Sequence, residues 1–279
     1  MKLFHLLILS CLALSQPCLL QAETDPWKAE EYFQNSSSQK NAASDLLKFV
    51  LIKETDHILD VGCGDGKITA EIANKLSKGS IIGVDLSPAM ISFAKASFPS
   101  LIFKLKDAMD LDFNSEFDTV FSFTTLQWIQ DHKAFLQGAY LALKPSGTLA
   151  ITMPLGLPAS LEEAVLEIIA LPKWSSYFQN FSTGWNFVKQ EEYEKLLSFQ
   201  KFTPSRIAVV PQKDIFPSKE VFKNFIGQWF PYLRALPESL KKEFLAEVID
   251  RFLELESPFP NGEIHFKIRR LEVVATKSA

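Results

Sequence analysis

Three glycines at alternate positions, Gly62, Gly64 and Gly66, stand directly after the apolar run Ile58-Leu59-Asp60-Val61 and directly before a stretch of helical spacing that starts at Lys67. Glycine at such a strand-to-helix turn answers two demands: backbone angles closed to other residues, and approach of a ligand to the main chain with no Cβ in the way. The flanking strand and helix turn a common triplet into the feature that most narrows what this chain can become.

The surrounding pattern extends the same theme. Spacing of apolar residues predicts strands over 57–61, 81–85, 101–105, 117–123 and 147–153, separated by helices over 67–76, 88–96 and 133–143. Ser87 before Pro88 is an N-cap with proline at the first helical position, Gly79 closes the preceding helix, and Pro145-Ser146-Gly147 makes a turn. Alternation of this kind predicts an α/β fold, a doubly wound and mostly parallel sheet with helices on both faces. Ala42, Ala43, Leu46, Leu47 and Val50 add one or two helices ahead of it. Beyond Pro154 helical patterns cover 161–171, 190–199, 218–233 and 237–255, an aromatic stretch fills 172–187, and strand character returns at 206–210 and 263–276. The alternation of the last strand changes phase near Arg270, where a bulge is expected.

With 279 residues, 47% of them hydrophobic, the chain can bury one α/β core, about 51–154 and 190–279, beneath lid segments at about 155–189 and 218–255. A net charge of -4 supplies no basic field for phosphates, so the expected partner is a small molecule and not a nucleic acid, and a monomer is expected. Residues 1–22 stand apart: Lys2, the apolar stretch Leu3 to Leu14, then Ala22 before Glu23. They read as a signal peptide ahead of a domain at 23–279 and point to export, with a cytoplasmic location as the alternative. Nothing after them is long and apolar enough to span a bilayer. Cys11 and Cys18 fall in that leader, leaving Cys63 alone in the body.

The chemistry sits at strand ends. Asp60 immediately precedes the glycine turn; Gly83-Val84-Asp85 ends the next strand, about 20 positions on, where an acidic residue accepts hydrogen bonds from a ribose diol. Asp107-Ala108 follows the third strand, where a carboxylate and the next N–H can meet an adenine edge. The G-x-G-x-G spacing differs from the G-x-G-x-x-G that seats a pyrophosphate.

At these residues the chain resembles the class I S-adenosylmethionine-dependent methyltransferases, whose seven-stranded sheet ends in an antiparallel strand. The resemblance extends over nearly everything from Trp27 onward. It implies S-adenosyl-L-methionine as cofactor, held by Asp60, Gly62, Cys63, Gly64, Asp85, Leu86, Asp107, Ala108 and Thr124. Within that superfamily Leu126-Gln127-Trp128-Ile129 and Leu143-Lys144-Pro145-Ser146-Gly147 look like the trans-aconitate, juvenile-hormone-acid and malonyl-carrier-protein methyltransferases, and Trp229, Tyr232-Leu233 and Arg270-Leu271 are similar in order and spacing to the trans-aconitate group. The likeness implies methyl transfer to a carboxylate oxygen of a small acid, with Gln39 and Trp128 as the catalytic pair facing the substrate. Apart from the likeness, Trp229 is a candidate for the substrate's pocket, and Arg234 or Arg206 for a bidentate clamp on its carboxylate.

A carboxylate, with a pKa of about 4, is ionised at neutral pH and needs no base, only alignment and a dry site. Few cations accompany the many lid aromatics, which favours a hydrophobic acid over a polycarboxylate; the aromatics themselves either line the pocket or pack the lid. His5, His57, His132 and His265 form no metal-ligand spacing, and no metal is expected. The alternative reading is an exported domain of this fold that binds a ligand without turnover.

Overall fold

A computed structural model describes residues 25, 27–256 and 261–278; the leader at 1–22 lies outside the described residues. The apolar runs form one seven-stranded sheet in the order β3-β2-β1-β4-β5-β7-β6. Its central strands, β1 (His57–Val61), β2 (Ser80–Asp85), β3 (Ile102–Leu105), β4 (Phe117–Phe123) and β5 (Leu143–Pro154), are parallel, and β7 (Ile264–Lys277) lies antiparallel between β5 and β6 (Phe202–Phe216). Four of the five residues of β1 and six of the seven of β4 are buried, as strands covered on both faces must be.

Helices α1 (Ala29–Asn35), α2 (Ser37–Leu47), α3 (Lys67–Ala73), α4 (Pro88–Ser97), α5 (His132–Ala142) and α7 (Gln190–Phe199) accompany the sheet. The Ser87 hydroxyl accepts the Met90 N–H at 3.0 Å to open α4, and the Asp131 carboxylate accepts from Lys133 and Ala134 to open α5. α5 buries Phe135, Leu136, Ala139 and Ala142, the i, i+4, i+7 stripe of an amphipathic helix. These residues share a core with Leu59, Val120 and Leu149, while Ala43 and Leu46 of α2 join Ile58, Phe121 and Ala150 in another; each large side chain so buried contributes about 1.5–3 kcal/mol.

The edge pair β6–β7 is longer than its sequence pattern suggests. Only residues 206–210 carry an apolar strand signal, yet β6 pairs with β7 as far as Phe216 opposite Ile264, well past Arg270 opposite Pro154, where pairing of β7 with β5 ends. Pro211, Gln212, Lys213 and Asp214 hide this extension because their polarity reads as loop. Phe216, Ile264 and Phe266 on the extension join a separate hydrophobic cluster with α6 (Ala159–Ala170), α8 (Lys219–Gly227) and α9 (Glu238–Leu255), so the lid helices stand on a protruding pair of antiparallel strands.

Two local expectations are corrected. The pattern over 218–233 is two pieces, α8 and a 3-10 turn at Pro231–Ala235, since Pro231 cannot continue a helix. No bulge occurs at Arg270: the ladder with β6 runs through it in register, the ladder with β5 ends on it, and the irregularity lies on β6 between Pro204 and Arg206. The phase change at Arg270 marks where the strand becomes covered on both faces, with every residue from Arg270 to Ala275 buried.

Candidate active site

The turn after β1 closes by two N–H groups, of Gly62 and Cys63, donated to the Val84 carbonyl at 2.8 and 3.0 Å. Gly62, Gly64 and Gly66 have φ of 75°, 53° and 79°, the left-handed region open to glycine. Their surroundings separate them. A Cβ on Gly62 would lie 2.1 Å from Thr125 and one on Gly66 2.8 Å from Phe103, whereas one on Gly64 would meet nothing nearer than Tyr32 at 3.9 Å. Gly64 therefore presents bare backbone to open space.

That space is a small cavity bounded by Tyr32, Gln39, Asp60, Gly62, Cys63 and Gly64, with Asp65 and Lys67 at its side. Asp60 takes the Thr69 hydroxyl on one oxygen at 2.6 Å and leaves Oδ1 buried with no partner. Burial, reinforced by the charges of Asp85 and Asp65, pushes its carboxyl up to about 7. Burial also raises Asp65, Asp85 and the Cys63 thiol. Asp85 accepts the Gly64 N–H at 2.9 Å and the Ser87 N–H at 2.8 Å, one on each oxygen, and each oxygen keeps a second lone pair. Three carboxylates and a glycine cradle suit a cationic ligand with an ammonium and a diol, which is the chemistry of S-adenosylmethionine.

Farther along the rim the positions are less enclosed. Leu86 is 65% exposed, an apolar face open to an adenine ring; Asp107 is half-buried and accepts the Met109 N–H at 2.8 Å, and neither it nor Ala108 lines the cavity. Asp25, which sequence reasoning passed over, reaches α4 from the N-terminal segment: its carboxylate accepts from the Ser87 hydroxyl at 2.6 Å and the Ala89 N–H at 2.9 Å.

A second, larger cavity adjoins the first, and Tyr32 and Gln39 line both. Thr124, held at φ 53° with its N–H on the Thr152 carbonyl at 2.7 Å, and Trp128, on the turn Leu126–Trp128, also face it. The Trp128 ring lies 5.6 Å from Trp27 and 5.7 Å from Trp185. The aromatic residues divide: Trp185, Phe187 and Trp229 line the cavity, whereas Trp174 is fully buried against Phe244 with its N–H on Glu247. Four polar atoms on this lining are buried without a partner: Gln39 Oε1, Gln127 Oε1, Thr152 Oγ1 and Trp229 Nε1. Orphaned buried groups cost about 1–3 kcal/mol each, which a ligand would offset.

The cations fall elsewhere than expected. Arg234 is not among the lining residues; its guanidinium stacks 5.1 Å from the Trp128 ring centroid. Arg206 is committed to Glu272 at 2.9 and 2.7 Å. Arg270, buried in β7, lines the cavity instead. Its signal in the sequence was a charged pair, Arg270 and Glu272, at the start of the apolar run that ends the terminal strand.

Residues 58–147 match a family described as a methyltransferase domain. The chain is 26% identical over 267 residues to trans-aconitate 2-methyltransferase of Delftia acidovorans, covering 90% of this chain and 98% of that one, and 25% identical over 258 residues to its counterpart in Sinorhizobium medicae, covering 90% and 99%. A similar fold, at TM-score 0.57 and 20% identity over 93% of this chain and 59% of the other, occurs in phosphoethanolamine N-methyltransferase 2 of Haemonchus contortus in complex with S-adenosylhomocysteine. The two trans-aconitate relatives are named as methyltransferases, and the reading of a domain without turnover finds no support among them.

Proposed function

We propose that this chain, which belongs to the class I S-adenosylmethionine-dependent methyltransferases, methylates a carboxylate oxygen of a small acid with an apolar body. The observation that carries this reading is the lack of a base. Among the described residues lining the larger cavity there is no histidine, carboxylate, lysine or cysteine, and Tyr32 has its phenol driven far up by burial, so it keeps its proton. An acceptor served by such a lining must be a nucleophile already; a carboxylate is one at neutral pH. The trans-aconitate relatives act on an acid by name, which supports the same class.

Bound S-adenosylmethionine supplies an electrophilic methyl group. Asp60 and the Gly62–Gly64 turn would hold its amino-acid part, Asp85 its ribose, Leu86 the face of its adenine, and Asp107, Ala108 and Thr124 the rest of the rim. Gln39, shared by both cavities, stands at the boundary the methyl must cross and orients the acceptor; Trp128 closes the aromatic side and excludes water. Trp229 offers an N–H to the acid. Arg234 braces Trp128 by stacking on it and has no direct contact with substrate in this reading.

The test is transfer of labelled methyl to a panel of acids and to the corresponding alcohols and amines. A base-labile product from acids alone is expected. Label in alcohols or amines, with none in acids, sinks the carboxylate reading.

A further inference from the structure

We infer that Asp45 and Glu272 set substrate specificity by neutralising Arg270, so that the chamber admits an acid with a single carboxylate and turns away di- and tricarboxylates. This rests on the carboxylate reading above and goes beyond it to the class of acid.

Among the described residues that line the larger cavity, Arg270 alone carries a positive charge. A free guanidinium there would recruit a second carboxylate of the substrate, bidentately and in a place largely closed to water. It is not free. Nε and Nη2 donate to Glu272 Oε1 at 3.3 and 2.9 Å, Nη2 donates to Asp45 Oδ2 at 2.8 Å, and Nη1 donates to Gln212 Oε1 at 2.8 Å. Four of its five N–H groups are thus taken by the chain itself.

The surroundings leave no cation to spare. The Gln212 amide nitrogen donates to Asp214 Oδ2 at 2.6 Å and to the Ser38 hydroxyl at 2.8 Å, and Ser38 also donates to Asp214 at 2.7 Å. Arg206 is consumed on the other oxygen of Glu272. Lys48 takes the other oxygen of Asp45 at 2.7 Å, so Asp45, Glu272 and Asp214 are matched by Arg270, Arg206 and Lys48, and Arg270, Glu272 and Asp214 are more than nine-tenths buried. A second substrate carboxylate arriving here would lose its water and meet a spent cation with no charge left to receive it. Rejection by uncompensated desolvation, with aromatic contacts for the apolar body on the same lining, is how a site of this composition discriminates. The methylated carboxylate escapes the penalty because its place is at the Gln39 boundary, beside the cationic cofactor.

Asp45 is half-buried on α2 and does not line the chamber, so Asp45→Asn removes charge while keeping an amide oxygen for Arg270. The experiment measures octanoate and octanedioate by calorimetric titration into protein saturated with S-adenosylhomocysteine, and both as methyl acceptors, in wild type, Asp45→Asn and Asp45→Ser. Wild type should favour octanoate over octanedioate by about tenfold or more, and both variants should shrink that preference by about threefold or more. Wild type preferring octanedioate or trans-aconitate, or a preference unchanged in two folded variants, overturns the inference and leaves the carboxylate reading standing. No methylation of any acid by a protein that binds S-adenosylmethionine overturns both.

Discussion

Thr69 donates its hydroxyl hydrogen to Asp60 at 2.6 Å, and the other Asp60 oxygen, equally deep, receives nothing from the protein. Half of a buried carboxylate is thereby satisfied from within, and the other half is turned to the small cavity.

The ligand-free protein should lose stability as the pH rises from about 4 to about 7. Burial lifts Asp60 from 3.8 to about 7, so in that window the folded state holds a proton that the unfolded chain has given up. The benefit is complete below the lower value and gone above the upper one. Asp60→Asn should raise the melting temperature at pH 8 and change it little at pH 4; a scan showing equal shifts at both would contradict the titration assigned to Asp60.

Binding of S-adenosylmethionine should expel that proton, because an ammonium at Oδ1 favours the ionised carboxylate. Below pH 7 the affinity should fall by up to about tenfold per pH unit. Calorimetry in two buffers of different ionisation enthalpy reads the proton directly, and Asp60→Asn should abolish the release along with most of the affinity.

The two glycines of the turn should fail differently. Gly62→Ala drives a Cβ into Thr125 on top of a left-handed backbone and should cost about 3 kcal/mol or more in stability. Gly64→Ala meets open space, so only the backbone strain of about 1–2 kcal/mol applies, yet its methyl fills the cradle and should remove cofactor binding from a folded protein. Chemical denaturation and titration of both variants check this; normal binding by Gly64→Ala would exclude that cavity as the cofactor's place.

Trp229→Phe should leave stability unchanged or slightly improved, since the indole N–H it removes has no partner, while retaining the ring that packs 5.7 Å from Phe225. The KM for the acid should rise about fivefold with kcat little altered. A fall in kcat with constant KM would assign Trp229 to the chemical step.

What was legible in the sequence is what backbone geometry dictates. Gly62, Gly64, Asp60 and Asp85 announce themselves because only a few residue types serve a tight strand-to-helix turn with an acid at the neighbouring strand end. The protruding part of β6 was hidden, since Gln212 and Asp214 are polar for a tertiary reason: they meet Ser38, some 175 residues away in sequence. Arg270 was legible only within the resemblance, and its place in the chamber was hidden for the same cause. Glu272 is near it in sequence, but Asp45 and Gln212 come from two other elements that no local pattern joins to it. The aromatic stretch gave composition without direction, and only packing separates Trp185, which lines the chamber, from Trp174, which supports the lid.

Gln39 and Tyr32 belong to the walls of two chambers at once. A shared wall makes the two occupants answerable to each other: a shift of Gln39 that improves the fit of one ligand alters the affinity of the other by the same factor in both directions. Cofactor, demethylated cofactor and acid thus report on one another's presence through a single amide, and the sequence of their arrival and departure becomes a property of that side chain.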